Sequence, residues 1–308
     1  MTPSRTVHRG RRPILQVVRR LFAVSGALYG ASLLILWAFQ RPLVFHASDS
    51  RGADAGPAPP PGDAQTVQFR TDAGDSVVAY YGAALTPNGA RDLDAARRPT
   101  LLFFYGQGGS VAGCRGWAES FRRQGVNVLM PDYVGFGASG GRESEAACRS
   151  TGEAALRYLR SRSGGQSRPI VIAGYSLGSG VAADLAARET EAGRPPAGLA
   201  LFAAFTCMAD EAHQEYPLYP TWLLRRLLRY PFPSERNLRR VRCPILLVHS
   251  RADRLIPLWM SDRLAQASGG PVTRLTIDRA DHADYFTTGG AQVYPALGRF
   301  LKKAVTTR

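Results

Sequence analysis

The 308-residue chain is poor in cysteine, with four, and poor in acidic side chains, with 24 against 39 Lys and Arg. Four thiols over this length cannot form a disulfide scaffold. Gly and Pro number 32 and 21, below the about 25–30% of a low-complexity or disordered chain. Metal-binding spacings such as C-x-x-C or H-E-x-x-H are missing, as is any internal repeat, so the sequence calls for no metal and no cofactor. The remainder is an ordinary globular composition, 45% hydrophobic and 20% charged, long enough for one large domain or two small ones.

The scarcity of acid leaves a formal charge of +15, which by itself suggests nucleic acid or an anionic membrane surface. Its distribution argues against nucleic acid, whose binders spread basic residues over a folded face. Arg5, Arg9, Arg11, Arg12, Arg19 and Arg20 crowd residues 1–20 with no acid among them. A second cluster, Arg225, Arg226, Arg229, Arg236, Arg239, Arg240 and Arg242 against Glu235 alone, fills residues 221–243.

Charge is wholly absent from Leu21 to Gln40, LFAVSGALYGASLLILWAFQ. About twenty apolar residues are what a helix needs to cross the hydrocarbon core, and Trp37 and Phe39 lie where interfacial aromatics sit. A cleavable signal peptide is the rival reading. It would have a shorter apolar core with a small-x-small site directly after it, whereas Arg41-Pro42-Leu43 follows and the first such triplet is Ala53-Asp54-Ala55. The sequence therefore predicts an uncleaved anchor. Basic residues stay on the cytoplasmic side, so residues 1–20 are expected inside and residues 42 onward on the extracytoplasmic, periplasmic side.

Residues 41–64, rich in Pro, Gly and Asp from Ser48 onward, read as a linker. The folded domain is expected over 65–308. Residues 65–85 read as two strands around a turn at Gly74. Apolar runs at 100–105, 126–130, 169–173, 198–205, 244–248 and 272–277 then alternate with helical patterns at 110–124, 144–162, 177–190, 258–268 and 291–305. This alternation predicts an α/β fold, a mostly parallel, doubly wound sheet covered on both faces. Residues 206–243 are too long for an αβ connection and read as a cap insertion.

Gly174-Tyr175-Ser176-Leu177-Gly178 matches G-x-S-x-G, a sharp strand-to-helix turn that projects a serine oxygen. A second match, Gly137-Ala138-Ser139-Gly140-Gly141, has neither flank and reads as a loop. Ser176 follows an apolar strand pattern and precedes a helical one, which makes it the candidate nucleophile. A serine needs a base to take its proton and a third group to orient that base. His213, His249 and His282 alone follow Ser176. His213 falls in the cap and His249 ends a strand; His282, just past the last strand, is the base by elimination. Asp253, on the loop after the preceding strand, is the expected acid, with Asp281 and Asp284 as alternatives. The oxyanion needs two N–H donors: the amide of Leu177, and the amide of Gln107 in Tyr105-Gly106-Gln107-Gly108-Gly109. A plain glycine turn ahead of a helix is the other reading of that loop.

With these parts in order, residues 65–305 resemble the α/β-hydrolase superfamily. The resemblance is strongest to its small membrane-anchored serine hydrolases, the serine-aminopeptidase-like and protein-depalmitoylase-like branch. It is carried by Phe39-Gln40-Arg41-Pro42-Leu43-Val44-Phe45, Asp132-Tyr133-Val134-Gly135-Phe136-Gly137-Ala138-Ser139, Tyr216-Pro217-Leu218-Tyr219-Pro220, and His249-Ser250-Arg251-Ala252-Asp253-Arg254-Leu255-Ile256-Pro257. It implies a triad of Ser176, Asp253 and His282, a structural role for Asp132 and Tyr133, and an acyl-enzyme formed from ester or thioester substrates. Two positions depart from the branch: Tyr105-Gly106-Gln107 stands where His-Gly-Asn is common, and Asp281 precedes the histidine where Gly is common.

The expected partners are a small-molecule or lipid-like acyl substrate and the membrane, the latter through the N-terminal helix and a basic cap. The cap's Trp222–Tyr230 stretch, read as a helix, would gather Arg225, Arg226 and Arg229 on one arc beside Trp222, which reads either as a solvated face over leucines packed on the domain or as a basic surface for anionic lipid. Acyl transfer on the same triad and a silent anchored binding module are the alternatives. An oxidising compartment would permit one disulfide among Cys114, Cys148, Cys207 and Cys243.

Overall fold

The computed structural model describes residues 11–53, 64–162 and 168–306. Arg5, Arg9 and the central part of the expected linker, residues 54–63, lie outside the described residues. The chain divides into two units, Met1–Gln40 and Arg41–Arg308.

The first unit is the helix α1, Arg11–Ala38. Within it Leu15–Ala38 is long and apolar enough to cross a membrane, and none of that stretch is buried by protein. The helix stops at Ala38, two residues short of the expected Gln40, and a new helix α2 (Gln40–Phe45) begins at once. Pro42 explains the restart: it lacks an N–H and is tolerated only in a helix's first turn.

The second unit is built on an eight-stranded sheet. Its strands are β1 Ala64–Arg70, β2 Ser76–Gly82, β3 Thr100–Phe104, β4 Asn127–Pro131, β5 Ile170–Tyr175, β6 Gly198–Phe202, β7 Ile245–Ser250 and β8 Val272–Ile277. Their spatial order is β1-β2-β4-β3-β5-β6-β7-β8. The pairs β1/β2 and β2/β4 are antiparallel, and every later pair is parallel. β3, β4 and β6 are buried at every residue, as a sheet covered on both faces requires. Gly74 turns β1 into β2 at φ +89°, a conformation that only Gly adopts without strain.

The covering helices are α3 Val111–Arg122, α4 Glu145–Arg162, α5 Leu177–Glu191, α9 Leu258–Ala267 and α10 Gly290–Thr306. α10 buries Val293, Leu297, Phe300, Leu301 and Ala304, the spacing of one helical face. The cap, inserted between β6 and β7, holds α6 Met208–Glu215, α7 Thr221–Leu227 and α8 Ser234–Leu238.

Two expectations are corrected. Residues 41–52 are not a linker: Val44, Phe45 and Ala47 are buried in the core of the second unit, and Gly52 N–H donates to Gly137 O at 2.8 Å. The Trp222–Tyr230 helix ends at Leu227, with Leu228 already extended; Pro231 has no N–H to give the Leu227 carbonyl, and its ring would clash with that carbonyl in a continued helix. All four cysteines are free thiols; Cys114 and Cys148 sit on different helices, and burial pushes the Cys114 thiol up to about 12.

Candidate active site

The geometry begins with the turn from β5 into α5. Ser176 sits at φ 53°, ψ −123°, a left-handed conformation disfavoured for any residue with a Cβ. Close packing enforces it. A Cβ on Gly174 would lie 2.0 Å from Gly178 O, and one on Gly178 would lie 2.1 Å from Phe104 O, so only glycine fits on either side of the serine. Ser179, on the first turn of α5, donates its hydroxyl to Ser176 O at 2.6 Å.

His282 and Asp253 reach Ser176 from the carboxyl ends of β8 and β7. His282 Nε2 is 2.9 Å from Ser176 Oγ, and His282 Nδ1 is 2.8 Å from Asp253 Oδ2. The Asp253 side chain is fully buried. Its other oxygen accepts the N–H groups of Leu255 at 3.0 Å and Ile256 at 2.8 Å. These two bonds fix the carboxylate and leave Oδ2 for the imidazole. Tyr175 stacks on the His282 ring at 5.2 Å and donates its hydroxyl to His282 O. Burial raises the Tyr175 pKa, which keeps the phenol a donor.

The alternatives for base and acid are engaged elsewhere. His213 Nδ1 pairs with Tyr219 O at 2.9 Å. His249 is buried, meets Ile256 O at 2.7 Å, and is held below its ordinary pKa by burial. Asp281 accepts the backbone N–H of His282 at 2.7 Å, and Asp284 accepts from Thr288 at 2.6 Å. Ser139 is a loop residue: it accepts from Val78 N and donates to Asp132 O, both at 2.9 Å.

The loop after β3 lies against the serine, since a Cβ on Gly106 would meet Ser176 Cβ at 3.3 Å. Among the described residues, no acceptor takes the N–H of Gln107 or of Leu177. For Leu177 this follows from its position, because the first amides of a helix have no intrahelical partner. Asp132 holds the loop from behind. Buried at the end of β4, it accepts from Tyr105 Oη at 2.8 Å, Val111 N at 2.6 Å and Ala138 N at 3.0 Å. Burial still raises its pKa against the pull of those three donors. Tyr133 donates its hydroxyl to Tyr105 O at 2.7 Å.

The cap supplies one group that the sequence did not flag. Glu211 on α6 is pushed up to about 7, mainly by burial, then by neighbouring Glu215, with His282 pulling the other way. Leu218 and Trp222 are exposed at 70% and 65%. Of the cap arginines, Arg225 pairs with buried Asp210 at 3.0 Å, Arg239 with Glu235 at 2.7 Å and Arg240 with Glu191 at 2.7 Å. Three of the cluster's seven arginines thus pair with an acid, and Asp210 and Glu235 also take Arg263.

A sheet of this order, with Ser176 on the turn after its central strand and the two other groups on loops after β7 and β8, has the architecture of the α/β hydrolases. The chain has the α/β-hydrolase fold. Within it, the model of the family "serine aminopeptidase, S33" matches residues 95–235. An uncharacterized protein of Mycobacterium tuberculosis is 29% identical over 279 residues, covering 91% of this chain and 93% of that protein. Lysophosphatidylserine lipase ABHD12 of Rattus norvegicus is 28% identical over 186 residues, which are 56% of this chain but only 46% of the lipase. Among solved structures, the Pyrococcus furiosus esterase Pf2001 superposes with a TM-score of 0.63 at 16% identity, over 82% of this chain and 98% of that one. Est1E from Butyrivibrio proteoclasticus gives a TM-score of 0.61 at 16% identity, over 78% and 99%. Likeness at that identity speaks for the fold alone.

Proposed function

We propose that the protein is a membrane-anchored serine hydrolase that cleaves carboxylic ester or thioester bonds of lipid-like acyl substrates. The observation that carries this reading is the continuous hydrogen-bonded line Ser176 Oγ, His282 Nε2, His282 Nδ1, Asp253 Oδ2 at 2.9 and 2.8 Å, with two unengaged amides beside the serine. In the proposed mechanism Ser176 Oγ attacks the substrate carbonyl carbon and its proton passes to His282 Nε2. Asp253 holds the imidazole in the tautomer with Nδ1 protonated and stabilises the imidazolium. The Gln107 and Leu177 amides receive the charge that develops on the carbonyl oxygen. Collapse expels the alcohol or thiol, which takes the proton from His282, and water attacks the acyl-enzyme by the reverse sequence.

The lipid-like substrate class is supported by the similarity to a lysophosphatidylserine lipase and by exposed Leu218 and Trp222 on the cap. Anchoring is supported by the length and apolar composition of Leu15–Ala38, and the cytoplasmic N-terminus by Arg11, Arg12, Arg19 and Arg20. Labelling of the full-length protein with a fluorophosphonate probe tests the chemistry. Wild type is expected to label and Ser176→Ala is not; an unlabelled wild type, or equal labelling of both, refutes the mechanism. A reporter fused after Gly62 tests orientation, and activity of a cytoplasmic reporter there would reverse it.

A further inference from the structure

Residues 41–52, which follow directly on the apolar helix, touch the cap and the loops after β3 and β4. Phe45 is fully buried, its ring centroid 4.9 Å from that of Tyr230, 6.1 Å from Phe232 and 6.4 Å from Phe136. Tyr230 and Phe232 belong to the cap; Phe136 belongs to the loop after β4. The backbone of the same residue does something different: Phe45 O accepts the N–H of Gly108 at 3.0 Å. Gly108 immediately follows Gln107 and adopts φ +66°, and a Cβ there would sit 3.3 Å from Asp49 Oδ2 and 3.5 Å from His46 Cβ. His46 itself is left-handed, at φ 49°, a strained conformation for a side-chain-bearing residue. Downstream, Gly52 N–H donates to Gly137 O at 2.8 Å, Arg51 Nε donates to Gly135 O at 3.3 Å, and Arg51 pairs with Glu143 at 2.5 Å.

We infer that this segment is a positioning element of the active site. The Phe45 carbonyl fixes the Gly108 peptide, and so the direction of the adjoining Gln107 N–H, while the Phe45 ring ties that fixture to the cap. The inference rests on the proposed role of the Gln107 amide. A backbone carbonyl is well suited to the task, because it holds the loop without intruding on the face that meets substrate. Its own position depends on the burial of the Phe45 ring. Shrinking the ring therefore perturbs an oxyanion donor on a different loop, which a merely structural residue would not do selectively.

The test uses the full-length protein in detergent, with Phe45→Ala and Phe45→Leu. Deuterium uptake by the peptide covering Phe104–Ser110 reads the fixture directly. The kcat and KM for p-nitrophenyl butyrate, and the inhibition constant of a trifluoromethyl ketone, whose adduct carries an oxyanion, read its consequence. Phe45→Ala is expected to speed exchange of that peptide and to lower kcat by about tenfold or more. KM should stay within about twofold while the ketone weakens by the same factor as kcat; Phe45→Leu should recover most of both. Unchanged exchange in Phe45→Ala overturns the inference, as does faster exchange with kcat and ketone binding at wild-type levels. Should Phe45→Ala not fold, Phe45→Val takes its place, and wild-type exchange with wild-type ketone binding in that variant overturns the inference equally. A wild type that neither hydrolyses the ester nor binds the ketone would instead refute the proposed function, and the exchange measurement would still decide whether Phe45 holds the loop.

Discussion

Asp132 offers the sharpest test of how the site is held together. Its carboxylate is buried and satisfies three donors that have no other acceptor, Tyr105 Oη, Val111 N and Ala138 N. Leaving a buried donor unsatisfied costs about 1–3 kcal/mol each. Asp132→Ala strands the two buried donors, Tyr105 Oη and Val111 N, while the N–H of exposed Ala138 can turn to water; some relief comes from removing a carboxylate whose own burial is unfavourable. The net expectation is a loss of about 2–4 kcal/mol, a large share of a typical stability of about 5–15 kcal/mol. Asp132→Asn should be milder. Its single carbonyl oxygen can keep Tyr105 and Val111 while its amide faces the N–H of Ala138, which is exposed and can turn to water, so the cost is about 1 kcal/mol. Thermal melting of the full-length protein, followed by near-ultraviolet circular dichroism, should show Ala well below Asn and Asn below wild type. For a domain of this size about 1 kcal/mol corresponds to about 2–4 °C. If Asp132→Ala melted within about 2 °C of wild type, the picture of Asp132 as the tie between the two loops would be wrong.

Two further outcomes follow from the geometry. In Asp253→Asn, the Leu255 and Ile256 amides should hold the carbonyl oxygen and turn the new NH2 toward His282 Nδ1, forcing the wrong tautomer; kcat for an ester should fall by about 10⁴, and a drop of less than tenfold would contradict that arrangement. Glu211, with a folded pKa of about 7 against an ordinary 4.5, binds its proton more tightly folded than unfolded. Its ionisation therefore removes stability as pH rises from about 4.5 to about 7, and the loss stays constant above that. Glu211→Gln should be more stable than wild type at pH 8 by about 1–3 kcal/mol and equal to it near pH 4; a difference independent of pH in melting experiments would refute the assignment.

The sheet was legible because buried parallel strands read as unbroken apolar runs. Phe103 and Phe104, or Leu246 and Leu247, have no solvent-facing partner to dilute the pattern. Ser176, Asp253 and His282 could be nominated because each follows a strand, and strand ends are the part of a chain that periodicity locates best. The partners of Phe45 could not be read in the same way. Its ring meets Phe136 and Tyr230, residues remote in sequence, while the Pro, Gly and Asp content nearby imitates a linker. The cap failed differently: the Leu-Arg pattern from Trp222 onward is helical by period, but Pro231 overrides the period from downstream. Tyr175 and Glu211 carried no signal, since one is the variable position of its motif and the other acts only through where α6 lies.

The backbone of Ser176 bears on how such a site can be lost. A serine at φ 53°, ψ −123° is held about 1–3 kcal/mol above a relaxed conformation, and glycine would occupy the same dihedral angles freely. The residue on which the chemistry is proposed to depend is thus one whose replacement by glycine relieves the fold. A lineage released from selection for hydrolysis would gain stability by giving up its nucleophile in that direction, so the hydroxyl can persist only as long as its reaction is needed.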